Sequence, residues 1–158
     1  MRNLRLALFI VFIVGTGFAI GLLNPPGSWY AALTKPWFNP PNWVFAPVWS
    51  VIYLLVAIAG WRTFERDRNS TAMMLWWVQM ALNFLWSPMF FAVHDMRTAL
   101  IVIIVMIALA AGAAGQFFRL RAAAGYLLMP YLAWLVFATT LNTAILNLNP
   151  EANASLLG

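Results

Sequence analysis

Charged side chains cut this chain of 158 residues into stretches that only a bilayer explains. They fall at positions 2, 5, 35, 62, 65–68, 95, 97, 119, 121 and 151. Between them lie five charge-free windows, 6–34, 36–61, 69–94, 98–118 and 122–150, each at least 21 residues long. A helix needs about 20 residues to cross the hydrocarbon layer. Open strands are excluded, because lipid leaves the N–H and C=O groups of a sheet edge unpaired. A lipid-facing barrel would alternate polar and apolar positions, yet residues 100–111 are apolar throughout. The pattern predicts an all-α membrane protein, a bundle of five transmembrane helices at 5–23, 44–64, 71–92, 98–118 and 122–147. Together they form one domain over 1–158.

Composition agrees and narrows the chemistry. The chain is 64% apolar and 8% charged, with a mean hydropathy of +0.83. Soluble domains run at about 45–50% apolar and about 25% charged. An ordinary soluble globule, a disordered tail and a fibrous repeat are excluded. The net charge of +5 is spread over separate short segments rather than gathered in a patch, so nucleic acid is not an expected partner. There is no cysteine, hence no disulfide, thiol chemistry or thiolate metal site. His94 is the only histidine and sits beside Asp95 in a tight connection. One histidine and four carboxylates, none at mid-membrane depth, make neither a metal site nor an acid–base pair. Hydrolytic and redox-metal catalysis are excluded, and no cofactor is required.

An odd number of spans places the termini on opposite sides. Arg2, Arg5, Arg62, Arg66, Arg68, Arg119 and Arg121 fall on one side, and only Lys35 and Arg97 on the other. This bias predicts a cytoplasmic N-terminus and an external C-terminus. A cleaved signal peptide over 1–23 is the weaker reading, since the apolar run is too long and lacks a clean A-x-A site. Connections 93–97 and 119–121 are so short that the last three spans must be antiparallel neighbours.

The long connection is 24–43, with five of the nine prolines and three of the nine tryptophans. Proline stiffens it, and Trp29, Tyr30, Trp37, Phe38 and Trp43 load it with aromatic surface that water would not leave exposed. It reads as a structured lid over the bundle mouth, with an interfacial aromatic belt as the alternative.

Polar and aromatic stripes point to an interior. Trp76, Gln79, Asn83, Trp86 and Phe90 recur at spacings of 3, 4, 3 and 4, one face of a helix. Amides in lipid are costly unless paired, so Gln79 and Asn83 should face inward. In the second span Phe45, Trp49 and Tyr53 recur every four residues, beside Pro47 and Ser50. In the fifth, Trp134, Ala138, Leu141 and Ile145 form one stripe, with Thr139, Asn142 and Thr143 close by. Pro88 and Pro130 are expected to bend their helices. The amides and hydroxyls can serve as interhelical glue. Three indoles at one level, Trp49, Trp86 and Trp134, instead suggest the walls of a cavity for a flat, largely apolar ligand. Small residues, at Gly17 and Gly21 and at Ala108, Ala111, Gly112 and Gly115, mark helix contacts inside the bundle or a homodimer seam.

Several of these segments fall into a known pattern. Residues 35–43, KPWFNPPNW, followed by 46–53, APVWSVIY, resemble the signature of the tryptophan-rich sensory protein and translocator protein (TspO, peripheral benzodiazepine receptor) family. So do 81–91, ALNFLWSPMFF, and 130–134, PYLAW, followed by 137–142, FATTLN. The resemblance implies a five-helix bundle, often dimeric, that binds porphyrins and other tetrapyrroles, sterols and synthetic benzodiazepine-site ligands beneath the first loop. Carried over by motif, Trp49, Asn83 and Trp134 would line the pocket, with Phe45, Ala46, Trp86, Ala138 and Leu141 on further matched positions. Trp37 from the loop and Tyr53 from the second span complete the candidate set. Family members are proposed to transport, sense or photochemically degrade porphyrins, so a porphyrin of the protoporphyrin IX or haem type is the expected ligand.

One departure bears on sterols. The family's sterol-associated motif needs an aromatic and then a basic residue after the Leu-Asn pair, but Thr143 and Ile145 stand there and no Lys or Arg follows Arg121. Sterol is therefore not an expected partner, although Arg121, Tyr126 and Leu128 fit the reversed motif. Eight arginines to one lysine, and no basic C-terminal tail, favour a bacterial inner membrane. Three functions are consistent with these residues: a tetrapyrrole-binding carrier or sensor, an enzyme oxidising bound porphyrin with light and oxygen through Trp49 and Trp134, and an assembly partner that binds no small molecule.

Overall fold

The structure, a computed structural model, describes residues 2–154; Met1 and residues 155–158 of the expected domain lie outside the described residues. Those described fold entirely into helices and connections. The first apolar window forms α1 (Arg2–Leu23), and a short helix, α2 (Ser28–Ala32), interrupts the proline-rich connection. After Pro40 and Pro41, which have no N–H to donate, the chain enters α3 (Asn42–Phe64). Then come α4 (Thr71–Ser87), α5 (Met96–Leu120) and α6 (Ala122–Leu148), with a final 3-10 turn over Pro150–Ala152. Two helix starts are capped as their sequences suggest. Ser70 Oγ accepts from the Met73 N–H at 3.3 Å, and the Asp95 carboxylate accepts from the Thr98 N–H at 2.9 Å.

Four helices, α1, α3, α5 and α6, are long and apolar enough to cross a membrane. The expected helix over 71–92 is not continuous. Its α-helical part stops after 17 residues, and Pro88–Ala92 forms a π turn closed by the Val93 N–H on the Pro88 carbonyl at 3.0 Å. The cause is local, since Pro88 has no N–H for the α-helical ladder.

The helices pack in the ring order α1, α3, α6, α5, α4, with a thinner seam between α4 and α1. Single-residue reversal at Arg121 makes α5 and α6 antiparallel neighbours. The core is built on Trp76, Tyr131 and Phe117, all essentially without exposure. Gly60 lets α3 come against the Trp76 indole, where any Cβ would overlap the ring. Gly17 does the same for the Tyr53 ring, so this small residue of α1 is spent inside the bundle. The small residues of α5 lie elsewhere: Ala108, Ala111, Gly112 and Gly115 are all exposed on its outer face. At the opposite end from the long connection, Arg5 and Glu65 form an exposed ion pair of 2.9 Å, which contributes little to stability.

Candidate functional site: an aromatic cavity under a latched loop

Aromatic rings on α3, α4 and α6 face a common space of about 310 Å³ in the half of the bundle below the 24–43 connection. This lies at the lower end of the ligand-pocket range of about 300–1,000 Å³. Nine of the ten candidate residues line it: Phe45, Ala46, Trp49 and Tyr53 on α3, Asn83 and Trp86 on α4, and Trp134, Ala138 and Leu141 on α6. Trp37 does not. It is 95% exposed and touches only the edge of Phe38 among the rings. A tight turn, with the Asn39 N–H on the Pro36 carbonyl at 3.0 Å, sends Phe38 inward towards Phe137 and leaves Trp37 facing out.

The expected triad of indoles at one level is two indoles and a separate pair. Trp49 and Trp134 meet edge to face, centroids 6.3 Å apart. Trp49 also stacks on Tyr53 at 5.1 Å, and Phe45 abuts Trp134 at 6.0 Å. Trp86 instead stacks on Phe90, four residues further along, at 5.3 Å, and meets Phe91 of the π turn edge to face at 6.0 Å. These two phenylalanines, with Phe137, Asn142 and Tyr30, line the cavity without having been assigned to it from sequence. Phe90 carried a signal as the last member of the α4 stripe, Asn142 stood beside the α6 stripe and Tyr30 among the rings of the connection; Phe91 depends on the π turn, which periodicity does not reveal.

The fourth wall is α1, where Gly17 and Gly21 bring the backbone close to the space. Phe18 and Leu22 border it while remaining largely exposed, which marks a mouth between α1 and the α4 end. No charged side chain stands among the lining residues. The wall is polar at a few points. At its inner end Tyr53 donates to Asn83 Oδ1 at 2.9 Å, and Asn83 Nδ2 donates to the Tyr131 hydroxyl at 3.1 Å. Tyr131 in turn donates to Gln79 Oε1 at 2.6 Å, and Gln79 Nε2 donates to the Trp76 carbonyl at 3.0 Å. Gln79 and Tyr131 lie behind the wall. The glue reading thus describes Gln79 and both bonds of Asn83, while Asn142 has neither amide atom hydrogen-bonded although it is only 1% exposed. Thr139, Thr140 and Thr143 donate to carbonyls one turn back on their own helix rather than across a seam.

The connection above is fastened at three places. Asn149, past the end of α6, accepts from the Thr34 N–H and donates to the Thr34 carbonyl, both at 2.8 Å. Trp29 stacks on the His94 ring at 4.1 Å, with His94 held at φ 62°, the left-handed region. Tyr30, 4% exposed, packs its ring against Phe91 at 5.4 Å and donates to Asn39 at 3.1 Å. Burial raises the Tyr30 pKa above its usual value, a shift the Asn39 bond partly opposes. Lys35 closes the group, 4.6 Å over the Tyr30 ring. Trp29, Tyr30 and Phe38 of the connection are thus packed as a roof against the bundle end, whereas Trp43, like Trp37, stays largely exposed at 75%.

The chain is similar to known proteins over most of its length. A tryptophan-rich sensory protein from Cereibacter sphaeroides is 40% identical over 157 residues, covering 96% of this chain and 99% of its own length. Protein CrtK from Rhodobacter capsulatus is 32% identical over 153 residues, covering 93% of this chain and 96% of its own. The human translocator protein is 34% identical over 122 residues, covering 74% of this chain and 72% of its own. The TspO/MBR family pattern matches residues 8–148, nearly the whole helical part, and the chain belongs to the TspO/MBR family of membrane proteins.

Proposed function

We propose that this protein binds tetrapyrroles, with porphyrins of the protoporphyrin IX type as the leading candidates, in the aromatic cavity, and does so for transport or sensing. The observation that carries the reading is the right-angled contact of Trp49 and Trp134 on a wall with no charged side chain. Flat aromatic ligands gain dispersion and quadrupole contacts from such rings. The space is small for a whole tetrapyrrole, so part of the macrocycle and its polar edge extend through the mouth beside Phe18 and Leu22. The names of relatives, sensory in one case and translocator in another, fit either use of a bound ligand.

The same reading completes the membrane arrangement. α4 and its π turn together run over 71–92 and act as a fifth crossing beside the four long helices. The arginine bias then puts the N-terminus in the cytoplasm and the roof outside, in a bacterial inner membrane. The exposed small-residue face of α5 is where a second copy would pack.

Titration with protoporphyrin IX tests the binding. Saturable quenching of tryptophan fluorescence is expected, and a Trp49→Ala, Trp134→Ala double variant that quenches equally well would overturn the reading. A second reading, oxidation of bound porphyrin by dioxygen under light, draws on the same two indoles. It predicts a new absorbing product on illumination that requires Trp49 and Trp134, and an unchanged spectrum removes it.

A further inference from the structure

The hydrogen bonds at the inner end of the cavity all run in one direction, and one main-chain atom sets that direction. Gln79, 1% exposed, donates through Nε2 to the carbonyl of Trp76 at 3.0 Å. A carbonyl has no proton to give, so this contact fixes which way the amide points. Oε1 is then the atom 2.6 Å from the Tyr131 hydroxyl, and it can only accept. Tyr131 has one proton and spends it on Gln79, so at 3.1 Å from Asn83 Nδ2 its oxygen accepts. Asn83 must therefore turn Oδ1 towards Tyr53, which spends its own single proton there at 2.9 Å. The second Nδ2 proton of Asn83 sits on the nitrogen turned to Tyr131, on the α6 side.

We infer that the Tyr53 hydroxyl is an acceptor-only contact in the cavity wall, set in that state by Gln79 and Tyr131, and that it selects ligands presenting an O–H or N–H at their inner end. This rests on the cavity being a ligand site, and it adds the class of ligand group that the inner end takes. A hydroxyl, pyrrole or lactam N–H directed at Tyr53 gains a hydrogen bond. A carbonyl at the same place meets lone pair against lone pair, and reversing the chain would break the Gln79 bond to Trp76. Sites built to hydrogen-bond a particular group reject analogues without it far more strongly than apolar pockets reject a change of size. Gln79 and Tyr131 do not border the cavity and act as positioning residues through Asn83.

The test uses 9-fluorenol and 9-fluorenone, which share a flat apolar ring system and differ in carrying a hydroxyl or a carbonyl. Binding is read by tryptophan quenching of the whole protein in nanodiscs. The wild type is expected to prefer the alcohol by about tenfold, the scale of one hydrogen bond. In Gln79→Leu, Tyr131 loses its acceptor and can turn its proton to Asn83, which frees Asn83 to rotate and Tyr53 to donate. The preference should then fall to about twofold or less, and Tyr131→Phe, which cuts the same chain one link on, should do likewise. A purely structural role for Gln79 would weaken both ligands together and leave their ratio intact. Equal binding of the two compounds by the wild type overturns the inference, whether or not either variant folds. So does a full preference in a folded Gln79→Leu or Tyr131→Phe. Failure of both compounds to bind the wild type, or their undiminished binding to the Trp49→Ala, Trp134→Ala variant, overturns the cavity reading itself and this inference with it.

Discussion

The indole of Trp49 meets that of Trp134 at 87°, with centroids 6.3 Å apart, across the seam between α3 and α6. Each ring holds the other in place, so the two act on a ligand as one surface. Trp49→Ala or Trp134→Ala alone is expected to weaken protoporphyrin IX binding by about tenfold or more, the scale of a lost aromatic contact plus its burial. The double variant should lose less than the sum of the two, because contacting residues are not additive. Fluorescence or absorbance titration of the three variants checks this.

Trp37 gives the contrasting expectation. It lies in a motif rich in tryptophan and proline yet points away from the cavity at 95% exposure. Trp37→Ala should leave the dissociation constant within about twofold of wild type, since exposed surface substitutions away from special features change little. A loss comparable to that of Trp49→Ala would mean that the loop turns its ring inward on binding.

The roof should be sensitive at a single amide. Asn149→Ala removes both hydrogen bonds to Thr34 and the one to the Ile145 carbonyl. About 1–2 kcal/mol of local stability is expected to go with them. Hydrogen exchange of amides within 28–39 should speed up, and the ligand should leave several-fold faster in stopped flow. Helical content by circular dichroism should not change, because α1, α3, α5 and α6 do not depend on this clip.

Gly17 is a site of tight contact. Any side chain there enters the Tyr53 ring, and overpacking of this kind costs about 1–3 kcal/mol. Gly17→Leu should lower the melting temperature in detergent and weaken binding together, since Tyr53 cannot yield without disturbing its bond to Asn83. Gly21→Leu, where nothing lies within 4 Å of the added Cβ, should fold normally and narrow the cavity alone.

The four long apolar helices were legible because charge is expensive in lipid, and thirteen charged residues leave few places for helices to end. The roof was legible from its prolines and rings, although α2 within it was not: five residues between prolines carry no periodic signal. Trp49, Asn83 and Trp134 could be found from helical spacing because each faces inward on a regular helix. Spacing failed where the backbone leaves that regularity. The π turn at Pro88 carries Phe91, which meets Trp86 edge to face and joins the wall. Trp37 was misplaced because a tight turn, rather than residue type, decides which of two adjacent aromatic rings faces in. The polarity of the Tyr53–Asn83–Tyr131–Gln79 chain depends on a main-chain carbonyl, and no side-chain pattern reports one.

A structure determined with protoporphyrin IX bound tests the central assignment most directly. Ring density against the surface that Trp49 and Trp134 form together, beneath the loop clipped by Asn149, is the predicted result. Density only on the outer face of α5, or a bound porphyrin that leaves both indoles untouched, would contradict it.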